Sequence, residues 1–145
     1  MNTTHKIEVP IFKAEINFIH QRGWSAVTNE LLKRYPDGFN AYEYGKKIKL
    51  EYSMGSTGRV FVASDRKNED VTFWFWAKEA EGQGDGDMGW LAHECYHLAV
   101  EILRNAGVKE GADSEEVYAY LIEFIMIKIV GIVWTYEQEK AAGNE

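Results

Sequence analysis

The decapeptide Trp90-Leu91-Ala92-His93-Glu94-Cys95-Tyr96-His97-Leu98-Ala99 constrains the fold more than any other stretch of the chain. Leu91, Cys95, Leu98 and Ile102 recur at helical spacing, with Ala92, Ala99 and Leu103 on their flank. Such a helix is mostly buried and keeps one polar stripe. His93 and His97 fall on that stripe one turn apart, where two imidazoles can hold one metal ion. Glu94 projects beside them, placed to take a proton from a metal-activated water. The helix is expected over about 88–104, ended by Asn105-Ala106-Gly107.

The rest of the chain must build a sheet for this helix to lie on. Alternation at Ile7, Val9 and Ile11, and at Ala14, Ile16 and Phe18, predicts one or two N-terminal strands. Trp24, Val27, Leu31 and Tyr35 follow helical spacing, with Ser25 as a cap and Pro36-Asp37-Gly38 as the stop. Ile48, Leu50, Tyr52 and Met54 alternate with polar residues. They predict the first strand of an antiparallel meander continued by Val60-Phe61-Val62 and by Val71 to Ala77. Thr72-Phe73-Trp74-Phe75-Trp76 puts aromatics on both faces of the last strand. Burial against helices on one side with a tryptophan cap on the other is preferred to an aromatic wall beside a cleft.

Glu79 to Gly89 is acidic and glycine-rich, and reads as a flexible connector with Asp87 capping the next helix. Its Asp85-Gly86-Asp87 lacks the spacing and closing Glu of a calcium loop. After a short connector at Lys109 to Asp113, a second helix begins near Glu115. It is apolar almost all round and is expected to be buried; its β-branched stretch from Ile127 to Val133 and its polar end from Glu137 are its weakest parts. One domain over 1–145 is expected, with strands and one helix in 1–80 and the helical part in 88–134.

Composition limits the partners. Of the 145 residues, 46% are hydrophobic and 27% charged, and the net charge of −7 argues against broad contact with nucleic acid or an anionic membrane. Glu123 and Lys128 within Val117 to Trp134 argue against a membrane span. The single cysteine rules out an internal disulfide, and with no secretory segment visible the expected location is cytoplasmic. Oligomeric state is not legible.

A catalytic zinc takes three protein ligands and one open position. Glu116 is the first choice for the third, lying far enough along for one helix to end and a second to return. Glu101, one turn beyond His97 on the same stripe, is the rival. Glu115 would point about 100° away from Glu116 on a helix. Acidic residues in a first turn also favour the helix dipole, so the Glu115-Glu116 pair has a structural reading too. Isolated His5 and His20 read as surface or packing residues, and Cys95 as packing.

With these residues in place, the chain resembles the zincin superfamily in its gluzincin branch. More closely, it is similar to small phage and prophage proteins carrying a metallopeptidase-like domain of the form A-H-E-x-x-H-x-x-x-x-I-L followed by E-x-x-A-Y. Ala92 to His97 with Ile102-Leu103 match the first part, and Glu116 with Ala119-Tyr120 the second. The resemblance implies an α+β fold, a small zincin-like domain whose antiparallel or mixed sheet packs on the HExxH helix and a ligand-bearing helix. It implies zinc on His93, His97 and Glu116, Glu94 as general base, and hydrolysis of a peptide or protein substrate in a bacterial host cell. The strand near Val71 to Ala77 would hold that substrate by backbone pairing. Many gluzincins place Asp four residues after the ligand Glu, where this chain has Tyr120. Its hydroxyl would either orient a ligand histidine or serve the oxyanion, or else pack in the core. The alternative function is a non-catalytic zinc-binding interaction module.

Overall fold

The computed structural model describes residues 1–50, 58–67, 70–79 and 85–143. Its strands are β1 (Thr4–Val9), β2 (Ala14–His20), β3 (Phe39–Glu43), β4 (Lys46–Ile48), β5 (Gly58–Asp65) and β6 (Val71–Ala77). Its helices are α1 (Trp24–Arg34), α2 (Asp85–Asn105) and α3 (Glu115–Gly143). The class is α+β, with a mixed six-stranded sheet in the order β1-β2-β6-β5-β3-β4.

Two N-terminal strands form, pairing antiparallel from Thr4↔Ile19 to Val9↔Ala14, but Ile11 does not continue the alternation: it is exposed in a 3-10 turn, Pro10–Phe12, between them. β2 then lies parallel to β6, the one parallel pairing among the described residues, with Phe18 opposite Phe75. α1 starts after an extended Gly23 that makes no side-chain cap, so Ser25 is not its cap.

The expected three-strand meander is corrected in part. β5 and β6 do pair antiparallel, from Gly58↔Ala77 to Ser64↔Val71. β4, however, is separated from β5 by β3, which pairs with both. Phe39-Asn40-Ala41-Tyr42-Glu43 carries no β-branched residue and only weak alternation, so its strand comes from the neighbours it pairs with. Tyr52 and Met54 of the expected strand lie outside the described residues. Tyr44 and Gly45 join β3 to β4 with φ of +52° and +76°. Two successive positive φ values match the twist of a two-residue hairpin, and the second suits glycine.

β6 explains its aromatics on both faces. Phe73 and Phe75 pack with Ile16 and Phe18 of β2 against α2 and α3. Trp74 and Trp76 face the other way, packing with Phe61 against Val27 and Leu31 of α1. The sheet is therefore a middle layer with helices on both sides. Both buried indoles keep a partner: Trp76 donates to the carbonyl of Arg22 at 2.8 Å and Trp74 to Thr72 Oγ1 at 2.7 Å. Each such side chain stabilises the fold by about 1.5–3 kcal/mol through burial.

The two C-terminal helices depart from expectation at their ends. α2 begins at Asp85, so Asp87 lies inside the helix and is not its cap. α3 runs unbroken through Ile127–Val133 and on to Gly143, because its packing overrides the weak propensity of branched residues. It is also not buried all round. Leu121, Ile125, Ile129 and Val133 form one buried stripe, while Tyr120, Ile127 and Trp134 are open to solvent. By length and composition, α3 is apolar enough to cross a membrane.

Candidate active site

The buried stripe of α2 fixes where its polar stripe must point. Leu91, Cys95, Leu98 and Ile102 are sealed against the sheet, which turns His93 and His97 outward. Their Nε2 atoms are 3.0 Å apart, with the rings nearly perpendicular at a centroid separation of 4.6 Å. Two nitrogens sharing one tetrahedral zinc at bonds of 2.0–2.1 Å would be separated by about 3.3 Å. The imidazole pair therefore fits a common ion. Cys95 lies on the opposite face, where burial first and the Glu94 charge second push its thiol up to about 12. It is packing, as expected, and no ligand.

Glu94 is half-buried between the stripes. Burial raises the pKa of its carboxyl, the two histidines oppose that rise, and Glu43 adds to it. A carboxylate moved upward towards neutral pH is better matched to proton transfer.

The hairpin β3–β4 supplies the wall facing these groups. Tyr44, at its turn, sets its ring edge-on to His97 at 5.4 Å. Glu43 is tied to Arg59 of β5 by a short charged hydrogen bond. From α2 itself, Tyr96 lies 5.9 Å from His97 and donates to the Glu110 carboxylate at 3.2 Å. Trp90, one turn before His93, covers Gly58: a Cβ there would meet the indole at 2.1 Å, so β5 starts on a residue with no side chain.

The third ligand is where expectation and structure separate. Among the described residues, no group of three His, Cys, Asp or Glu side chains is placed to hold a metal ion. Glu116 is exposed in the first turn of α3. α2 continues from His97 to Asn105, roughly 12 Å at 1.5 Å per residue, before the chain turns back. Glu101 is buried instead, held by Arg104 at 2.5 Å. Burial raises its pKa and Arg104 opposes the rise. Tyr120 is 60% exposed and so is not core packing. The backbone pairing expected of Val71 to Ala77 is also overturned, since β6 is bonded to β2 on one side and β5 on the other. Near the histidines the sheet ends instead at β4, an edge strand.

Sequence reading missed Glu43, Tyr44, Arg59 and Glu110. All four sit outside the helical motif and reach it only through the hairpin and the connector. The Tyr44-Gly45 pair between two short runs was the one signal that could have marked the turn. Searches against family models, curated proteins and solved structures find no match for this chain.

Proposed function

We propose that the chain is a zinc-dependent peptidase whose site is the outward stripe of α2. The observation that carries this reading is the convergence of two imidazole nitrogens at 3.0 Å beside a half-buried glutamate. His93 and His97 would hold the ion. Zinc, when bound, supplies a Lewis acid and lowers the pKa of water towards about 7. Glu94 accepts the proton of the attacking water and returns it to the leaving amine. A third ligand from Glu116 would need the start of α3 to move towards His97, and one from Glu101 would need its carboxylate to leave Arg104. The fold in this reading is a small zincin-like domain of the phage and prophage kind, acting on a peptide substrate in the cytoplasm of a bacterial host.

A second reading is favoured by the missing third side chain: a non-catalytic module that binds zinc through the histidine pair and works by interaction. The two are separated by assaying a peptide library with zinc-loaded wild type and Glu94→Gln. Cleavage by wild type that falls in the variant supports the peptidase. Equal cleavage by both removes Glu94 from the mechanism, and zinc binding without cleavage by either favours the module.

A further inference from the structure

α3 is coated with apolar side chains on two faces, and the core of this chain uses only one. The inward stripe, Leu121, Ile125, Ile129 and Val133, is fully used in packing. On the outward side Tyr120, Ile127 and Trp134 are 60%, 63% and 56% exposed. They recur every seven residues, so they form one seam along the helix. A contiguous apolar seam of this kind marks an interaction surface.

The seam has an internal symmetry. Tyr120 and Trp134 stand equally far on either side of Ile127, and so do Phe124 and Val130. Beside its centre, Met126, Ile127, Val130, Gly131 and Trp134 line a shallow, almost wholly apolar dent of about 450 Å³. Gly131 leaves that dent because no side chain fills it. When a helix with this arrangement meets its own copy head to tail, Ile127 meets Ile127, and Tyr120 of each copy meets Trp134 of the other. The exposed acidic residues on this stripe, Glu116 and Glu123, then come opposite Gln138 and Gly131 of the other copy. A two-fold axis demands this kind of self-matching, in which one patch serves both partners.

We propose that the outward face of α3 joins two copies of this chain in an antiparallel pair centred on Ile127. The area is sufficient. Aromatic side chains bury about 150–250 Å² each when covered. At their observed exposures, and with Ile127, Phe124, Val130 and Met126 already partly covered, the face offers on the order of 500 Å² per copy, about 1,000 Å² in total, the size a specific interface must reach. The net charge of −7 disfavours the rival occupant, an anionic lipid surface; it also sets the two copies against each other, so the pair is expected to tighten with added salt.

Sedimentation equilibrium of the full chain tests the pairing. The wild type is expected at twice the chain mass of 16.7 kDa. Ile127→Glu, an exposed substitution that puts two carboxylates face to face at the axis, is expected at the single mass with an unchanged circular dichroism spectrum. Cysteine cross-linking fixes the register. Ile127→Cys is expected to form a disulfide between copies on oxidation, and Trp134→Cys alone to form none. A mixture of Tyr120→Cys and Trp134→Cys chains is expected to cross-link; Cys95 is buried and stays silent. A wild type that stays at the single mass at every soluble concentration overturns the proposal. So does Trp134→Cys cross-linking to itself, which means a parallel pair, and so does flotation of a monomer with neutral phosphatidylcholine vesicles, which means a lipid partner.

Discussion

This chain holds two pairs of histidines, and each pair brings Nε2 close to Nε2. In the α2 pair, His93 and His97 are 3.0 Å apart, turned to solvent, with Glu94 alongside. The second pair, His5 and His20, joins β1 to β2 at 3.3 Å. His20 there is completely buried, stacked on Phe18 at 5.0 Å and met edge-on by Tyr136 at 5.1 Å. His5 also meets the Asn2 carbonyl at 3.1 Å. Proximity is the same, but surroundings differ. One pair has a carboxylate and an open side, the surroundings the proposed zinc site requires. In the other, His20 is closed in by aromatic rings and His5 is half-buried, so these imidazoles serve packing and the hydrogen-bond contacts to each other and to the Asn2 carbonyl. Closeness of two imidazoles is therefore not enough to define a metal centre; what stands around them decides.

The sharpest way to break that contrast is zinc titration followed by calorimetry. His97→Ala is expected to weaken zinc binding more than about 100-fold, beyond the usual cost of losing an outer partner. His5→Ala should leave affinity unchanged, and equal losses in both variants would erase the distinction. On activity, Glu94→Gln is expected to lower peptide cleavage by about 10²–10⁴-fold with zinc content retained. The rate per bound zinc is the measurement.

The buried pair should announce itself through acid instead. Burial, and secondarily the His5 charge, lower His20 from 6.5 to about 4. An unfolded chain takes up this proton near 6.5 and the folded one only near 4, so protons favour unfolding between those values. The stability held by neutral His20 is complete above about pH 6.5 and drains as pH falls towards 4, by about 3 kcal/mol at most. Urea unfolding of wild type and His20→Phe across that range checks it, the variant being expected to show the flatter profile.

Smaller effects sharpen the picture around the open pair. Arg104→Ala leaves the buried Glu101 carboxylate without its ion-pair partner and is expected to cost about 1–2 kcal/mol, reduced because Arg104 is itself half-exposed. If Glu101 can turn to the ion, zinc restores more stability in this variant than in wild type, a difference thermal melts resolve. Tyr44→Asn relieves a left-handed conformation that costs a residue with a side chain about 1–2 kcal/mol. It is expected to raise stability by about 0.5–1 kcal/mol while zinc affinity changes less than tenfold.

What the sequence made legible follows from range. The helix stripe around His93, the N-terminal hairpin and α1 rest on periodicities within a few residues, and they are present. β3 was not legible because Phe39 to Glu43 has little strand preference of its own and pairs with residues far along the chain. The tyrosine and carboxylate facing the histidines were hidden for the same reason. Glu116 is reachable by residue count, and α2 ends at Asn105 as its stop signal predicts, but a spacing rule cannot see where the connector sets the start of α3. The all-round apolar character of α3 was read as burial, whereas one side of it lies open.

Among the described residues the sheet is bordered by β1 and β4, and their make-up has a consequence for how the protein behaves when crowded. β4 is three residues long and begins Lys46-Lys47, while β1 carries Lys6 and Glu8 on its exposed positions and runs straight into Pro10. Short, charged or proline-ended margins are poor templates for a stray strand to zip onto. Growth of the sheet from one molecule to the next is therefore discouraged at both rims.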